Sequence, residues 1–421
     1  MDKTDLWIKP GEILLPRKDL DWPLWACVAC DQFTSQPRYW EEAAALVGDR
    51  PSALRLILPE CYLAEAPTRI PKIHEDMRRF LDRGILETGV KNGFVLTVRD
   101  TGDGERMGLV VLMDLEGYDC RAGSVSPIRP TEGTIKERIP PRVKVRRGAA
   151  LDMSHVLMLI DDVQASVIEP LYEKRKKLAK LYDFPLMMGG GHVSGYGVAD
   201  PGDLARIMDA LGTLRSGLAG ENPLLYAVGD GNHSLAAAKS CWEALQPSLS
   251  PKQRLHHPAR FALVELVNIR SEALVFQPIH RLVTACDGEA LLAEWGASAE
   301  AGSNPVPGGG STEIPCVCAG RNATVLIATP KPMKAIAALQ AFLDAWLTSH
   351  PKAKLDYIHG EAALREMAAK ESALGFLMPQ PEKSALFAAV DEEGVLPRKA
   401  FSLGEAHEKR YYIETRRLDQ G

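Results

Sequence analysis

The residues best suited to chemistry fall in one short stretch, Gly229-Asp-Gly-Asn-His-Ser234. Asp230 has a carboxylate that can hold a cation or take a proton, and His233 has an imidazole, a side-chain type suited to acid–base work. The five apolar residues before the stretch, Leu224–Val228, read as a buried strand, and the Leu-Ala-Ala-Ala run after Ser234 favours a helix. Gly229 and Gly231 supply the turn, with Asn232 or Ser234 as the expected helix cap. Such a junction aims backbone N–H groups outward, where the helix dipole also favours negative charge. Phosphate is the expected ligand. The same residues also suit an ordinary turn that binds nothing.

Other candidate groups lie far away in sequence. Asp31 ends an apolar run and precedes the hydroxyls of Thr34 and Ser35; it could take a proton from a substrate hydroxyl, hold a metal ion or simply cap a helix. The segment 129–147 holds Arg129, Arg138, Arg142, Arg146 and Arg147, with Glu132 and Glu137 among them. Guanidinium forks suit phosphate, and Pro130, Pro140 and Pro141 are expected to stiffen this segment as a loop. His280-Arg281 reads either as a buried pair or as a second phosphate clamp, and the glycines of 189–197 as a mobile connection or lid. Leu396-Pro-Arg-Lys399 follows a turn and reads as surface charge.

These groups need a scaffold, and composition sets its limits. The 421-residue chain has 46% hydrophobic and 25% charged residues, enough for two or three domains with real cores. A net charge of −5 argues against nonspecific nucleic-acid or membrane attachment. No apolar run approaches a membrane span and the first residues carry no apolar signal core, so a cytoplasmic location is expected. The eight cysteines form no disulfide framework, and Cys27-x-x-Cys30 lacks a second pair to complete a zinc set. No metalloprotease His-Glu-x-x-His, Gly-x-Ser-x-Gly elbow, dinucleotide fingerprint or Gly-Lys-Ser/Thr phosphate loop occurs.

Strand and helix patterns alternate along the chain. Strands are expected at Leu24–Cys30, Ala53–Leu58, Phe94–Arg99, Met107–Asp114, Val156–Ile160, Arg260–Val267, Val275–Val283 and Ala323–Ala328. Helices are expected at Tyr39–Val47, around Ile73–Ile85, at 164–181, at 203–218, after the central turn, and around Ile336–Leu347. The Gly, Ser and Pro content of 299–312 reads as a linker.

Six motifs in order carry a family resemblance: Val28-Ala-Cys-Asp31, Leu56-Ile-Leu-Pro59, Gly229-Asp-Gly-Asn-His-Ser234, Pro278-Ile-His-Arg281, Tyr357-Ile-His359 and Leu396-Pro-Arg-Lys399. Together they resemble the bacterial and archaeal domain of unknown function family 1015, which is similar to the free serine kinases and, through them, to the ParB and sulfiredoxin nucleotide-binding domains. The resemblance implies a mixed α/β protein with a ParB/sulfiredoxin-like nucleotide-binding core with insertions over 1–298, the linker 299–312, and a smaller C-terminal α/β domain over 313–421. Asp230, Gly231 and His233 match the family's Asp-Gly-x-His turn, His280 and Arg281 its His-Arg pair, and Asp31 its early acid. Asn232 and Ser234 replace the His and Arg usual in that turn, and Ala400 replaces a Ser after Lys399. Sulfiredoxin chemistry needs a cysteine where Asn232 stands.

The resulting expectation is an ATP- or ADP-dependent phosphotransferase, with Mg²⁺, acting on a small hydroxylated metabolite, serine being the first to try. The nucleotide would lie across Gly229, Asp230, Gly231, Asn232, His233 and Ser234, with Arg129, Arg138, Arg142, His280 and Arg281 as further anion contacts and Asp230 as the metal ligand. Asp31, Glu132 and His233 would serve as the acid–base groups. The alternative is a non-catalytic, nucleotide-binding regulator of ParB-like fold. Neither nucleic acid nor membrane is an expected partner, and a homodimer is left open.

Overall fold

The computed structural model describes residues 6–102, 104–121, 123–153, 155–220, 222–302, 310–397 and 399–419. The chain forms two compact units, Met1–Leu274 with Glu405–Gly421, and Val275–Gly404. Both are mixed α/β. No helix is long and apolar enough to cross a membrane among these residues.

The first unit is built on a mixed sheet whose central path runs 128–130, 226–230, 157–160, 261–268, 105–114, 86–100, 11–16, 415–417 and 151–153. The long strand Leu86–Asp100 makes the sheet curl. Its first half pairs with Gly11–Pro16, whereas its second half pairs with both Glu105–Asp114 and His192–Val198. Gly93 sits where the partners change; a Cβ there would lie 2.3 Å from the Val198 carbonyl oxygen, so a side chain would block the crossing. Alternate residues of the paired strands feed two cores, as pleating requires. Val95, Val110 and Leu112 join the core of Trp25, Trp40 and Phe80, while Phe94, Leu96, Leu109 and Val111 join that of Tyr226 and Trp242.

The second unit has a sheet in the order 321–327, 312–318, 373–376, 276–284 and 354–359, with 401–403 also paired to 276–278. The helix Pro332–Ser349 buries Ile336, Leu339, Leu343 and Trp346, the stripe its helical spacing predicts. Part of the linker expected at 299–312, residues 303–309, lies outside the described residues; a helix runs to Gly302 and a strand starts at Thr312.

Five local expectations are corrected. Leu24–Cys30 is not a strand: Trp22–Trp25 is one helical turn, with Asp21 accepting from the Leu24 N–H and Pro23 in its first turn, followed only by a bridge from Val28 to Tyr411. Ala53–Arg55 is a 3₁₀ turn capped by Ser52, not the start of a strand. In 164–181 only Glu169–Glu173 is α-helical; a 3₁₀ turn follows and Ala179–Pro185 is a strand. The glycine-rich 189–197 is no lid, because His192–Val198 is a strand held between two others. The basic segment is not a loop throughout, since Ile139–Arg146 is a helix. Its two prolines sit in the first turn, where a missing N–H breaks no hydrogen bond.

Candidate functional site

The strand Tyr226–Asp230 and the helix Asn232–Leu245 flank the turn, as the sequence pattern predicts. The strand pairs in parallel with 128–130 and antiparallel with 157–160, and its register slips between Val228 and Asp230, at Gly229. Gly231 is in the left-handed region at φ 76, and a Cβ there would lie 2.9 Å from Val156 Cα. Only glycine permits this turn so close to the neighbouring backbone. Behind it, Leu235, Ala236, Ala237 and Ala238 are buried, and their small side chains let the helix lie close to its neighbours.

The expected side-chain cap is absent: Gly231 is the N-cap residue, and neither Asn232 nor Ser234 caps the helix. Both are engaged elsewhere. Asn232 Nδ2 donates to the Glu132 carbonyl (3.2 Å) and to Thr134 Oγ1 (2.8 Å), while its Oδ1 accepts from the Tyr118 hydroxyl (2.7 Å). Asn232 therefore pins the 132–134 segment to the helix start. Ser234 Oγ lies 3.3 Å from His155 Nε2. The first helical turn thus carries the dipole's positive end with no side chain capping it.

His155 organises a second half of the site. Burial keeps the Tyr412 phenol protonated, and its hydroxyl lies 2.7 Å from His155 Nδ1. The other ring nitrogen, Nε2, faces Ser234 and lies 3.5 Å from Asp31 Oδ2. Burial alone would raise the Asp31 pKa. The His155 ring, the Gln32 amide (3.0 Å) and the Lys409 ammonium outweigh it and hold the carboxyl well below its usual range. Lys409 also pairs with Asp230 Oδ2 at 3.1 Å, and Asp230 Oδ1 accepts from the Gly231 N–H (2.9 Å). One ammonium therefore acts on both carboxylates.

The proposed anion contacts have separate fates. Arg129 is 3% exposed and lies in the strand Ile128–Pro130, with Nη1 donating to the Ser124 carbonyl at 3.2 Å. Arg138 pairs with Glu60 at 2.9 Å, and Arg142 pairs with the same carboxylate. His233 Nε2 accepts from the Ile135 N–H at 3.1 Å, which engages the lone pair a base would use. Glu132 meets the turn through its backbone carbonyl. His280 and Arg281 belong to the second unit. There Arg281 is fully buried, donating to Gln340 Oε1 (3.0 Å) and to the carbonyls of Ile279 and Lys399, and His280 Nδ1 accepts from the Met378 N–H (3.1 Å). Arg398 of the Leu396–Lys399 motif lies outside the described residues.

Three residues of this site escaped the sequence reading: His155, Lys409 and Tyr412. The only sequence signal for His155 is its place just before the apolar strand at 157–160. Lys409 and Tyr412 come from the last residues of the chain, which return to the first unit. The Cys27 and Cys30 thiols are free; burial raises both, Cys30 to about 11 with help from Asp31, so neither is a ready nucleophile.

A family model described as protein of unknown function (DUF1015) matches residues 8–346. The chain belongs to this DUF1015 family. Among solved structures, this DUF1015 protein is similar to a free serine kinase in complex with AMP, at 13% identity and a TM-score of 0.39, over 73% of this chain and 92% of that one. It is similar to a variant of the free serine kinase in complex with ADP, at 12% identity and a TM-score of 0.40 over the same shares. It is also similar to a C-terminally truncated SbnI from Staphylococcus aureus, at 10% identity and a TM-score of 0.34, over 74% of this chain and 83% of that one. No curated protein matches the chain in sequence.

The cofactor expectation meets the geometry unevenly. The first turn of the helix offers donors and dipole for phosphate oxygens. Magnesium fits less well. Among the described residues no three His, Cys, Asp or Glu side chains converge to hold a metal, and the Lys409 ammonium already stands against Asp230.

Proposed function

We propose that this chain is a phosphotransferase that moves a phosphoryl group from ATP or ADP to a small hydroxylated metabolite. One observation carries the reading: a buried His155 links Ser234, in the first turn of an uncapped helix, to the carboxylate of Asp31. A phosphate-binding helix start and an acid–base group are thereby held side by side.

The nucleotide's phosphates would lie against the N–H groups after Gly231, with Lys409 supplying positive charge between Asp230 and Asp31. Asp31, held ionised, would accept a hydrogen bond from the acceptor hydroxyl and orient its oxygen toward phosphorus. The new O–P bond forms as the bond to the leaving nucleotide oxygen breaks, and the hydroxyl proton passes to the Asp31–His155 pair. In a loose phosphoryl transfer this proton moves late, so a weak base suffices. Positioning by Asn232 and Tyr118 and charge from Lys409 would then do most of the catalysis.

The non-catalytic alternative has its own support, because Arg138 and Arg142 are both engaged by Glu60 and the turn carries Ser234 where the family usually has Arg. Incubating the protein with ATP or ADP and a panel of hydroxylated metabolites decides between them. A phosphorylated product that disappears with Asp31→Asn supports the kinase. Nucleotide binding without product across the panel supports the regulator. Absence of nucleotide binding defeats both.

A further inference from the structure

A cavity of about 110 Å³ adjoins the His155 cluster in the first unit, with Cys30, His155, Ser234 and Tyr412 in its wall. It is too small to enclose a nucleotide. For scale, an apolar cavity of about 150 Å³ accommodates benzene, so this one suits a ligand no larger than a small organic acid. Most of the remaining wall is aliphatic, including Leu56, Leu58, Leu63, Met77, Val145 and Leu151.

The polar part of the wall is electropositive. Glu60 is paired with Arg138 and Arg142, and Asp152 with Arg146 (2.5 Å) and Arg416 (3.6 Å). Four guanidinium groups thus surround two carboxylates. Arg146 lines the cavity, and its Nη2 is buried with no hydrogen-bond partner. A buried guanidinium N–H without an acceptor is costly, so this atom is available to donate to a ligand oxygen. An ammonium finds the opposite. Glu60 Oε1 is also buried without a hydrogen bond, but it is already paired with Arg142, so a charged amine there would meet four guanidinium groups against two carboxylates.

We infer that this cavity is the acceptor subsite, and that the acceptor is a small hydroxy monocarboxylate with an apolar body. Its carboxylate meets Arg146 and Arg142, its carbon skeleton fills the aliphatic part, and its hydroxyl lies at the His155 end, where the ring is 3.5 Å from Asp31. This assignment rests on the phosphotransfer reading for the word acceptor, whereas the carboxylate site stands on the cavity alone. Selectivity follows from it: a zwitterion such as serine should bind more weakly than an acid of similar size without the amine.

Titration calorimetry on the full chain with 3-hydroxybutyrate, butyrate and serine tests the inference, with ADP titrated separately. Both acids should bind, and serine at least about tenfold more weakly. Arg146→Gln should weaken the acids by about tenfold or more, the scale of a lost charge-assisted hydrogen bond, and leave ADP affinity unchanged. Because Arg146 also holds Asp152, Ala149→Leu provides a second variant that fills the cavity without touching that pair; it should abolish acid binding only. Serine binding as tightly as the acids, acids that do not bind, or acid affinity unchanged in the variants overturns the inference. ADP binding without acid binding sinks this subsite and spares the phosphate reading. Acid binding without ADP binding does the reverse.

Discussion

Two charged clusters in the first unit use similar residues in opposite ways. Around Glu265, the carboxylate pairs with Arg410 at 2.5 Å and accepts from Thr97 at 3.0 Å, while Arg410 also holds Glu414 at 2.8 Å and Tyr182 donates to Glu414. Both members of the Glu265–Arg410 pair are at most 5% exposed, so the cluster is shut off from solvent. Around Asp31 the charged pairs are longer, at 3.1 Å for Lys409–Asp230 and 3.5 Å for His155–Asp31, and Asp31 and Asp230 keep about a fifth of their side chains open to solvent. A closed cluster defines packing. An open one, with a helix start beside it, has room for a ligand to complete it.

That contrast can be broken by mutation. The largest expected effect is on rate: Asp31→Asn should lower phosphotransfer by about 10²–10⁴-fold, the usual worth of a positioned acid–base group, in a protein that still folds. Loss of the fold would instead make Asp31 a structural residue like Glu265. Arg410→Met should cost about 3–5 kcal/mol in chemical denaturation, because it leaves Glu265 and Glu414 buried without their main cation. A loss below about 1 kcal/mol would show that the interior cluster is no tighter than a surface pair. Gly231→Ala should cost about 1–3 kcal/mol from its positive φ and the approach of Val156, and should weaken ADP binding.

Acid sharpens the same comparison by a smaller amount. Burial raises the Glu265 pKa, but Arg410, Arg106 and the Thr97 hydroxyl outweigh it and depress the folded-state value, as their counterparts do for Asp31. A depressed carboxyl pKa gives stability that is present above the unfolded value, near about 4, and is lost as pH falls through the folded value. Denaturation midpoints should therefore drop on acidification below about pH 4, and Glu265→Gln and Asp31→Asn should each flatten that drop. An unchanged drop in either variant would show that the contacts of that carboxylate add nothing to the folded state.

Much of the scaffold was legible in local pattern. The strand at 226–230, the glycine turn and the helix after it follow from an apolar run, two glycines and three alanines in order. The hairpin 86–114 and the helices at 201–216 and 332–349 are equally local. Errors came where apolar content outweighed period. Leu24–Cys30 and Ala53–Leu58 are buried without being strands, because burial constrains side chains and leaves backbone conformation open. The arginines of 129–147 were legible as charge, yet their partners Glu60 and Asp152 were not, so they read as free anion contacts.

The order of residue types along the chain was enough to settle the turn itself, since the left-handed backbone at Gly231 is a local requirement that glycine meets. It also settled the mixed α/β class, because strand and helix periods alternate and each is a short-range property. What tertiary structure alone decided is the company that turn keeps. His155, Lys409, Tyr412 and Asp31 reach it from segments far apart in sequence, and their meeting depends on how the curled sheet pairs its strands and brings the chain's end back to the first unit. Contacts between distant segments follow from packing of the whole unit, which no local window of sequence contains.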